Sequence, residues 1–152
     1  MPGLFIIAHA PLASALKLAA AHCFPEAAQT LQVLDVQPNM PPDETEAQAR
    51  LLLADAIASD ARGEALILTD VFGATPCNTV QRLADGVHAK VVTGVNLPML
   101  WRTLNYSSET LDTLITRAVA GGVQGVMQIA TSRPQNQVSQ PIHDQDQRQH
   151  QQ

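Results

Sequence analysis

Short uninterrupted apolar segments, separated by helical patterns, constrain the fold of this 152-residue chain more than any other feature. Continuous rather than alternating apolar residues are typical of strands covered on both faces. They predict strands at residues 4–8, 65–69 and 90–93, and a weaker one at 31–36. Residues with helical periodicity lie between and after them, at 12–22, 43–61, 75–83, 97–105 and 108–120.

Strands joined by helical crossovers form a parallel sheet, because a parallel pair cannot be connected by a tight turn. We therefore expect an α/β domain with an open, mainly parallel sheet of order 2-1-3-4 and helices on both faces. Gly125 to Ile129 is predicted to add an edge strand or to pair with another chain. Asp43 and either Ser107 or Ser108 are predicted helix caps, and Gly121-Gly122 a helix end.

Composition excludes several classes of protein. The net charge is -5 and the nine Lys and Arg residues are scattered, so we expect no nucleic-acid partner. The first residues lack a signal-peptide pattern, and no segment approaches the roughly 20 apolar residues of a membrane helix. Cys23 and Cys77 fit free thiols in a reducing compartment. These features predict a cytoplasmic protein that reaches a membrane only through partners.

Two regions of different composition divide the chain. Residues 1–131 are predicted to form one domain, whereas residues 132–152 are rich in Gln and almost without apolar side chains. Such a segment cannot offset its ordering entropy by burial, so we expect a disordered tail. His143 and His150 in this tail are predicted to be solvated, and no metal ligand set or cofactor is expected.

Polar residues follow the predicted strands at their carboxyl ends. His9 ends the first strand, Asp70 follows the third, and Gly94-Val95-Asn96 follows the fourth. Ligands bind outside these strand ends in open parallel sheets, at the point where the strand order reverses. With order 2-1-3-4, His9 and Asp70 share this crevice. A carboxylate on one imidazole nitrogen fixes the tautomer and leaves the other nitrogen as a nucleophile.

The segment between the third strand and the next helix, residues 72–76, is predicted to bind an anion. Gly73 permits close backbone approach, and Thr75 as N-cap with Pro76 at N1 leaves first-turn amides free for a phosphoryl group. The pattern is not a P-loop. Cys77 lies in the same first turn; a packed thiol is one interpretation, and the nucleophile of a hydrolase with His9 as base is another.

Three blocks of sequence carry a family resemblance: IIAH at residues 6–9, LTDVFGATPCN at 68–78 and VVTGVNLPML at 91–100. Together they resemble the mannose-type (mannose/fructose/sorbose) enzyme IIA family of the phosphoenolpyruvate-dependent sugar phosphotransferase system. The resemblance spans roughly residues 3–130. It implies a phosphotransferase component that accepts a phosphoryl group on His9 from the histidine-containing phosphocarrier protein and passes it to a IIB component. It also implies a homodimer in which the last strand is exchanged.

The resemblance further assigns roles to residues of the three blocks. Asp70 resembles the carboxylate partner of the histidine. The phosphate-binding turn would contain Gly73, Ala74 and Thr75, and the pocket would be bordered by Phe72, Asn96 and Pro98. No fused IIB domain is recognised, so the IIB protein is expected to act in trans, with IIC and IID partners at the membrane.

Departures from the family pattern leave the acceptor open. The family usually has glycine after the histidine and a second glycine in the turn, where this chain has Ala10 and Ala74. The methyl group of Ala74 restricts positive φ near the phosphoryl site. The departures motivate one alternative to sugar transport, a regulatory module in which phosphorylation of His9 gates partner proteins. A second alternative is a phosphoryl donor to dihydroxyacetone kinase, since such donors have a similar fold and histidine. The sequence does not identify a sugar.

Overall fold

The computed structural model describes residues 1–132, so the predicted tail lies, except for its first residue, outside the described residues. Four strands form one sheet: β1 (Gly3–His9), β2 (Gln32–Val36), β3 (Ala65–Thr69) and β4 (Ala89–Val92). All neighbouring strands are parallel, in the order β2-β1-β3-β4. The predicted open parallel sheet and its order are confirmed.

Six helices connect and follow the strands. They are α1 (Leu12–Ala21), α2 (Pro25–Thr30), α3 (Pro42–Ala58), α4 (Thr75–Leu83), α5 (Leu97–Asn105) and α6 (Leu111–Gln124). Helix α2 was not predicted, because its six residues are too few to show helical periodicity. Among residues 1–132, no helix has the length and apolar character needed to cross a bilayer.

Both faces of the sheet are covered by helices, because successive side chains of a strand point to opposite faces. Ile6 and Leu68 pack with residues of α1, α5 and α6 on one face. Phe5, Ile7 and Ile67 pack with residues of α3 and α4 on the other. His9 continues the series of Phe5 and Ile7, so its side chain leaves the sheet on the α3 and α4 side.

The predicted caps of α3 and α6 are wrong by two to three residues. Helix α3 begins at Pro42 with Pro41 as N-cap, so that Asp43 lies in the first turn. Helix α6 is capped by Thr110, whose Oγ1 accepts a 3.4 Å hydrogen bond from the Thr113 N–H, and not by Ser107 or Ser108. Several polar residues precede this helix, and sequence alone does not select among them.

Gly121 and Gly122 lie inside α6 and do not end it. A methyl group added at Gly121 would lie 2.6 Å from Arg102 Cβ, and one at Gly122 would lie 2.8 Å from Met99 Cε. Both contacts are with α5. The two glycines therefore allow α5 and α6 to approach closely, which outweighs their poor helix propensity.

Gly125 to Ile129 does not form the predicted edge strand with this chain's own sheet. Gly125 is the C-cap of α6, and no strand is present among the described residues that follow it. Val126, Met127 and Ile129 are 76%, 67% and 77% exposed. Nothing in a single chain covers these side chains, and pairing with another chain remains a prediction.

Candidate functional site

His9 and Asp70 are in direct contact at the carboxyl ends of neighbouring strands. The imidazole Nδ1 lies 2.7 Å from Asp70 Oδ2, and the main-chain N–H of His9 donates to the same oxygen at 2.9 Å. The other oxygen, Oδ1, accepts the Val71 N–H at 2.8 Å. The His9 side chain is 55% exposed and that of Asp70 only 10%. The pair therefore presents its imidazole to solvent and keeps its carboxylate inside.

The hydrogen bonds determine which ring nitrogen is available. Burial raises the pKa of Asp70, but the hydrogen bonds from His9 and Val71 outweigh it and hold this pKa below its ordinary value. Asp70 is thus an ionised acceptor, and the hydrogen on the ring must be on Nδ1 of His9. The lone pair is then on Nε2. This arrangement is the one required for a nucleophilic imidazole.

Main-chain hydrogen bonds hold the strand ends together. The Gly94 N–H donates to the Asp70 carbonyl at 2.8 Å, and the Val95 N–H donates to the Thr69 carbonyl at 3.0 Å. On the other side, the Ala10 N–H donates to the Val36 carbonyl at 3.0 Å. The residues after β1, β3 and β4 therefore lie at one edge of the sheet, as the strand-end argument predicted.

The turn between β3 and α4 differs from the prediction by one residue at the cap. Ala74 is the N-cap of α4, Thr75 is its first residue and Pro76 its second. Gly73 has a φ of +84°, a conformation that suits glycine. The Ala74 N–H donates to the Val71 carbonyl at 3.3 Å. Ala74 itself has a φ of -91°, so its methyl group lies at a position where a side chain causes no backbone strain.

A small cleft of about 260 Å³ lies beside His9. Thr75 forms part of its wall, and the loop between β2 and α3 forms another part. The lining residues are His9, Ala10, Val36, Gln37, Pro38, Met40, Pro42 and Thr75. None of these is Lys or Arg, so an anion on His9 would rely on backbone, hydroxyl and side-chain amide donors. Sequence reasoning missed the loop, because Gln37, Pro38 and Met40 carry no characteristic motif.

The remaining predicted pocket residues lie in different environments. Phe72 is 74% exposed in the turn after β3. Asn96 is the N-cap of α5: its Oδ1 accepts the Met99 N–H at 2.8 Å and its Nδ2 donates to the Gly122 carbonyl at 3.1 Å. Pro98 lines a separate groove of about 490 Å³ along α5. The structure does not bring Asn96 and Pro98 into the cleft beside His9.

Two further features bear on alternative sites. Cys77 is 1% exposed, with its Sγ 3.8 Å from Gln81 Oε1, and it does not line the cleft with His9. The hydrolase interpretation is therefore not supported by the geometry. A larger groove of about 520 Å³ between α1 and α2 shares no lining residue with the cleft.

Helix α1, which begins just after His9, is capped from a distant strand. Asp35 on β2 accepts the Ser14 N–H at 3.0 Å through Oδ1 and the Ser14 hydroxyl through Oδ2. The adjacent N-cap, Pro11, has no side chain suited to this role. Sequence reasoning missed this cap because the two residues are far apart in the chain.

The fold and the site together define a class: an α/β protein with a parallel sheet of order 2-1-3-4 and a carboxylate-bound histidine at its switch point. Residues 3–119 match the model of the family described as "PTS system fructose IIA component", and the chain belongs to this family. The predicted family resemblance is thereby confirmed. Members of the family are components of the sugar phosphotransferase system.

Comparison with individual proteins agrees with this assignment. The chain is 39% identical over 64 residues to the "PTS system mannose-specific EIIAB component" of Escherichia coli (strain K12). That match covers 40% of this chain and 20% of the relative, so the chain matches only about a fifth of the curated relative.

Two solved structures have the same fold. The PTS IIA protein associated with the fucose utilization operon from Streptococcus pneumoniae has a TM-score of 0.73 at 20% identity, covering 83% of this chain and 91% of that one. The mannose/sorbose specific IIA subunit from Enterococcus faecalis has a TM-score of 0.72 at 22% identity, covering 88% and 98%. At these identities the likeness describes the fold alone.

Proposed function

We propose that this protein is a phosphoryl carrier of a mannose-type sugar phosphotransferase system. In this proposal Nε2 of His9 accepts a phosphoryl group from the phosphohistidine of the histidine-containing phosphocarrier protein and passes it to a IIB component. The observation that carries the proposal is the 2.7 Å contact between His9 Nδ1 and Asp70 Oδ2, which leaves Nε2 as the exposed nucleophile.

The chemical step follows from this tautomer. The Nε2 lone pair of His9 attacks phosphorus, the phosphorus–nitrogen bond of the donor phosphohistidine breaks, and its electron pair returns to the donor imidazole. The hydrogen on Nδ1 stays in place, bonded to Asp70. Positive charge develops on the ring of His9 and is stabilised by the adjacent carboxylate. The second transfer repeats these events in reverse, with His9 as donor.

The phosphoryl oxygens need donors throughout this exchange, because the transition state is loose and carries its charge on three oxygens. We assign this role to the turn of Gly73, Ala74 and Thr75. Thr75 lines the cleft with His9 and begins α4, where the helix dipole and first-turn N–H groups favour an anion. Because one imidazole gains the phosphoryl group that the other loses, the transfer needs no further co-reactant.

Phosphorylation in a reconstituted system tests the proposal. Purified protein is incubated with phosphoenolpyruvate and the two general carriers, and acid-labile phosphate is expected on His9. His9→Ala should abolish labelling. His88→Ala is the matched control, because His88 is also exposed and lies 3.0 Å from an aspartate, Asp85. Absence of label from the wild type, or label retained in His9→Ala, would refute the carrier role.

The acceptor is tested by adding candidate IIB proteins to the phosphorylated protein. Loss of label from His9 with its appearance on a IIB protein supports sugar transport. If His9 is labelled but transfers to no IIB protein, the regulatory role or donation to dihydroxyacetone kinase becomes the better interpretation. The turn residue Ala74, at the N-cap of α4, is the feature of this chain that motivates the regulatory alternative.

We also propose that the protein is a cytoplasmic homodimer that reaches the membrane through IIC and IID partners. Strand β4 lies at the edge of the sheet and pairs only with β3 among the described strands. The exposed side chains of Val126, Met127 and Ile129 follow α6. If this segment paired with the sheet of a partner chain, these apolar residues would be covered. An unpaired edge strand and exposed apolar side chains otherwise favour non-specific association with other chains.

A further inference from the structure

We propose that Asn78 is a positioning residue for phosphoryl transfer. Its side-chain amide holds the carbonyl of Gly73, and this contact keeps the turn before α4 in the conformation that leaves N–H donors for a phosphoryl group on His9. The inference rests on the proposed function of His9 and adds to it a residue that touches neither His9 nor the phosphoryl group.

Two contacts join Asn78 to the turn. Its Nδ2 donates to the Gly73 carbonyl at 3.2 Å, and its main-chain N–H donates to the Ala74 carbonyl at 2.9 Å. The Ala74 N–H in turn donates to the Val71 carbonyl at 3.3 Å. The peptide group between Gly73 and Ala74 is therefore held at both ends, its oxygen by Asn78 and its N–H by Val71.

The amides on either side of this peptide are the donors available to an anion. Among residues 1–132, the N–H groups of Gly73 and Thr75 have no hydrogen-bond acceptor. Thr75 lines the cleft beside His9, and Gly73 is exposed. Unpaired N–H groups in a turn before a helix form an anion site only while their peptide planes keep one orientation.

Gly73 would leave the orientation of the peptide plane between Gly73 and Ala74 variable if Asn78 did not bind its oxygen. Its φ is +84°, and a methyl group added there would meet nothing within 4 Å, so neither a side chain nor close packing restrains the backbone. Turns that contain glycine interconvert by rotation of a peptide plane, because glycine tolerates both signs of φ. Such a rotation would exchange the positions of the Gly73 oxygen and the Ala74 N–H. The Gly73 oxygen would then face the Val71 carbonyl, which now accepts the Ala74 N–H, and the repulsion between the two oxygens would displace the turn together with its Gly73 and Thr75 N–H groups.

Variants of Asn78 test this role against matched controls on the same helix. Asn78→Ala removes the donor, and Asn78→Asp replaces it with a carboxylate that repels the Gly73 carbonyl. Gln81→Ala and Gln81→Glu make the corresponding changes at an exposed position of α4. Asn78 is exposed, and an aspartate near a helix N-terminus is stabilising, so we expect Asn78→Asp to fold. This variant keeps the test valid if Asn78→Ala does not fold.

The measurements are the rate of phosphoryl transfer from the phosphocarrier to His9, its donor dependence, and the titration of the His9 ring followed by NMR. For both Asn78 variants we expect the rate at saturating donor to fall by about ten- to a hundredfold, because misplaced donors fail in the transition state. The KM for the donor should change by less than about twofold, since the role assigned to Asn78 is in the transition state and not in binding the donor. The ring titration should match wild type, because Asp70 and not Asn78 contacts the imidazole.

Several outcomes would overturn the inference. Wild-type rates in both Asn78 variants would do so, as would equal losses in the Gln81 variants. A shifted His9 titration in Asn78→Ala would show that the residue acts on the His9 and Asp70 pair and not on the turn. If the wild type itself takes no phosphate on His9, the proposed function fails and the inference with it; if it is labelled and the Asn78 variants match it, only the inference fails.

Discussion

His9 donates twice to a single oxygen of Asp70, through its main-chain N–H at 2.9 Å and its ring Nδ1 at 2.7 Å. The double contact fixes the ring relative to the backbone of β1, where a single side-chain bond would allow it to turn. Orientation, tautomer and charge stabilisation of the imidazole therefore depend on one carboxylate.

Replacing that carboxylate should slow phosphoryl transfer without unfolding the protein. Asparagine has nearly the same shape, but it lacks the charge that stabilises the ring cation, and its NH₂ group can face Nδ1 and favour the wrong tautomer. We expect Asp70→Asn to lower the rate at saturating phosphocarrier by about a hundredfold. The rate is measured by single-turnover labelling of His9.

Asp85→Asn is the matched control for this prediction. Asp85 also accepts a hydrogen bond from a histidine ring, that of His88, at 3.0 Å, but it precedes β4 at the opposite edge of the sheet. Its replacement should leave the labelling rate within about twofold of wild type. A wild-type rate in Asp70→Asn would show that the carboxylate is not needed for transfer.

The stability contributed by Asp70 should depend on pH in a defined direction. Its pKa is held below the ordinary carboxyl value by the hydrogen bonds from His9 and Val71, in spite of the opposing effect of burial. The contribution is therefore present above the unfolded-state pKa of about 3.9 and is lost as the pH falls through the folded-state value. The free energy of unfolding of wild type minus that of Asp70→Asn should decrease on acidification through this range.

Urea denaturation between pH 7 and pH 3 checks this dependence. The pKa of Asp60 is also lowered in the fold, because bonds to the amino terminus and to the N–H groups of Glu64 and Arg62 outweigh its burial. Asp60 is present in both proteins, so its effect on the difference cancels. Asp55→Asn on the exposed side of α3 serves as control, and its difference from wild type should vary little with pH. A difference for Asp70→Asn that grows toward acid pH would contradict the proposed linkage.

The two glycines inside α6 should respond differently to alanine. At Gly121 the added methyl would lie 2.6 Å from Arg102 Cβ, an atom fixed by the α5 backbone, whereas at Gly122 the nearest atom is the flexible end of Met99 at 2.8 Å. Overpacking lowers the free energy of unfolding by about 1–3 kcal/mol, whereas the better helix propensity of alanine raises it by about 1 kcal/mol. Gly121→Ala should therefore lower the free energy of unfolding by up to about 2 kcal/mol, and Gly122→Ala by less.

Chemical denaturation of the two variants in parallel measures these values. Because both substitutions lie on neighbouring positions of one helix, the change in helix propensity is common to them. A Gly121→Ala protein as stable as wild type would indicate that α5 and α6 can separate at little cost.

The proposed dimer can be tested at the segment after α6. Val126→Asp combined with Ile129→Asp places two charges on side chains that are 76% and 77% exposed in the single chain, so the fold of one chain should survive. In sedimentation experiments we expect a dimeric wild type and a monomeric double variant. Leu51→Asp, at a 69% exposed position on α3, should remain dimeric. A monomeric wild type at micromolar concentration would exclude the dimer.

Local patterns were sufficient to predict the strands, their parallel order and the meeting of His9 with Asp70. A run of apolar residues indicates burial on both faces, alternation with helices requires crossovers, and parallel strands end at one edge. The strand patterns use only neighbours in the chain, and the order 2-1-3-4, which brings His9 and Asp70 together, follows the common topology of open parallel sheets. Helix α2 was not predicted, because a helix of six residues is too short to show a periodic pattern.

The ends of the helices and the close packing of α5 against α6 depend on contacts between residues that are far apart in the sequence. Asp35 caps α1 across the sheet, and Gly121 remains helical because Arg102 on α5 lies against it. Asn96 was predicted to border the phosphate pocket, but its side chain bonds to the Gly122 carbonyl instead.

The sequence by itself thus determined which residues form the sheet and which strand ends carry His9 and Asp70, because strand patterns and parallel topology follow from local hydrophobicity. Only the tertiary structure decided which nitrogen of His9 is free, that Thr75 shares its cleft, and that Asn78 holds the Gly73 carbonyl. Those relationships depend on distances of about 3 Å between groups from different elements, and such distances are set by packing and not by spacing along the chain.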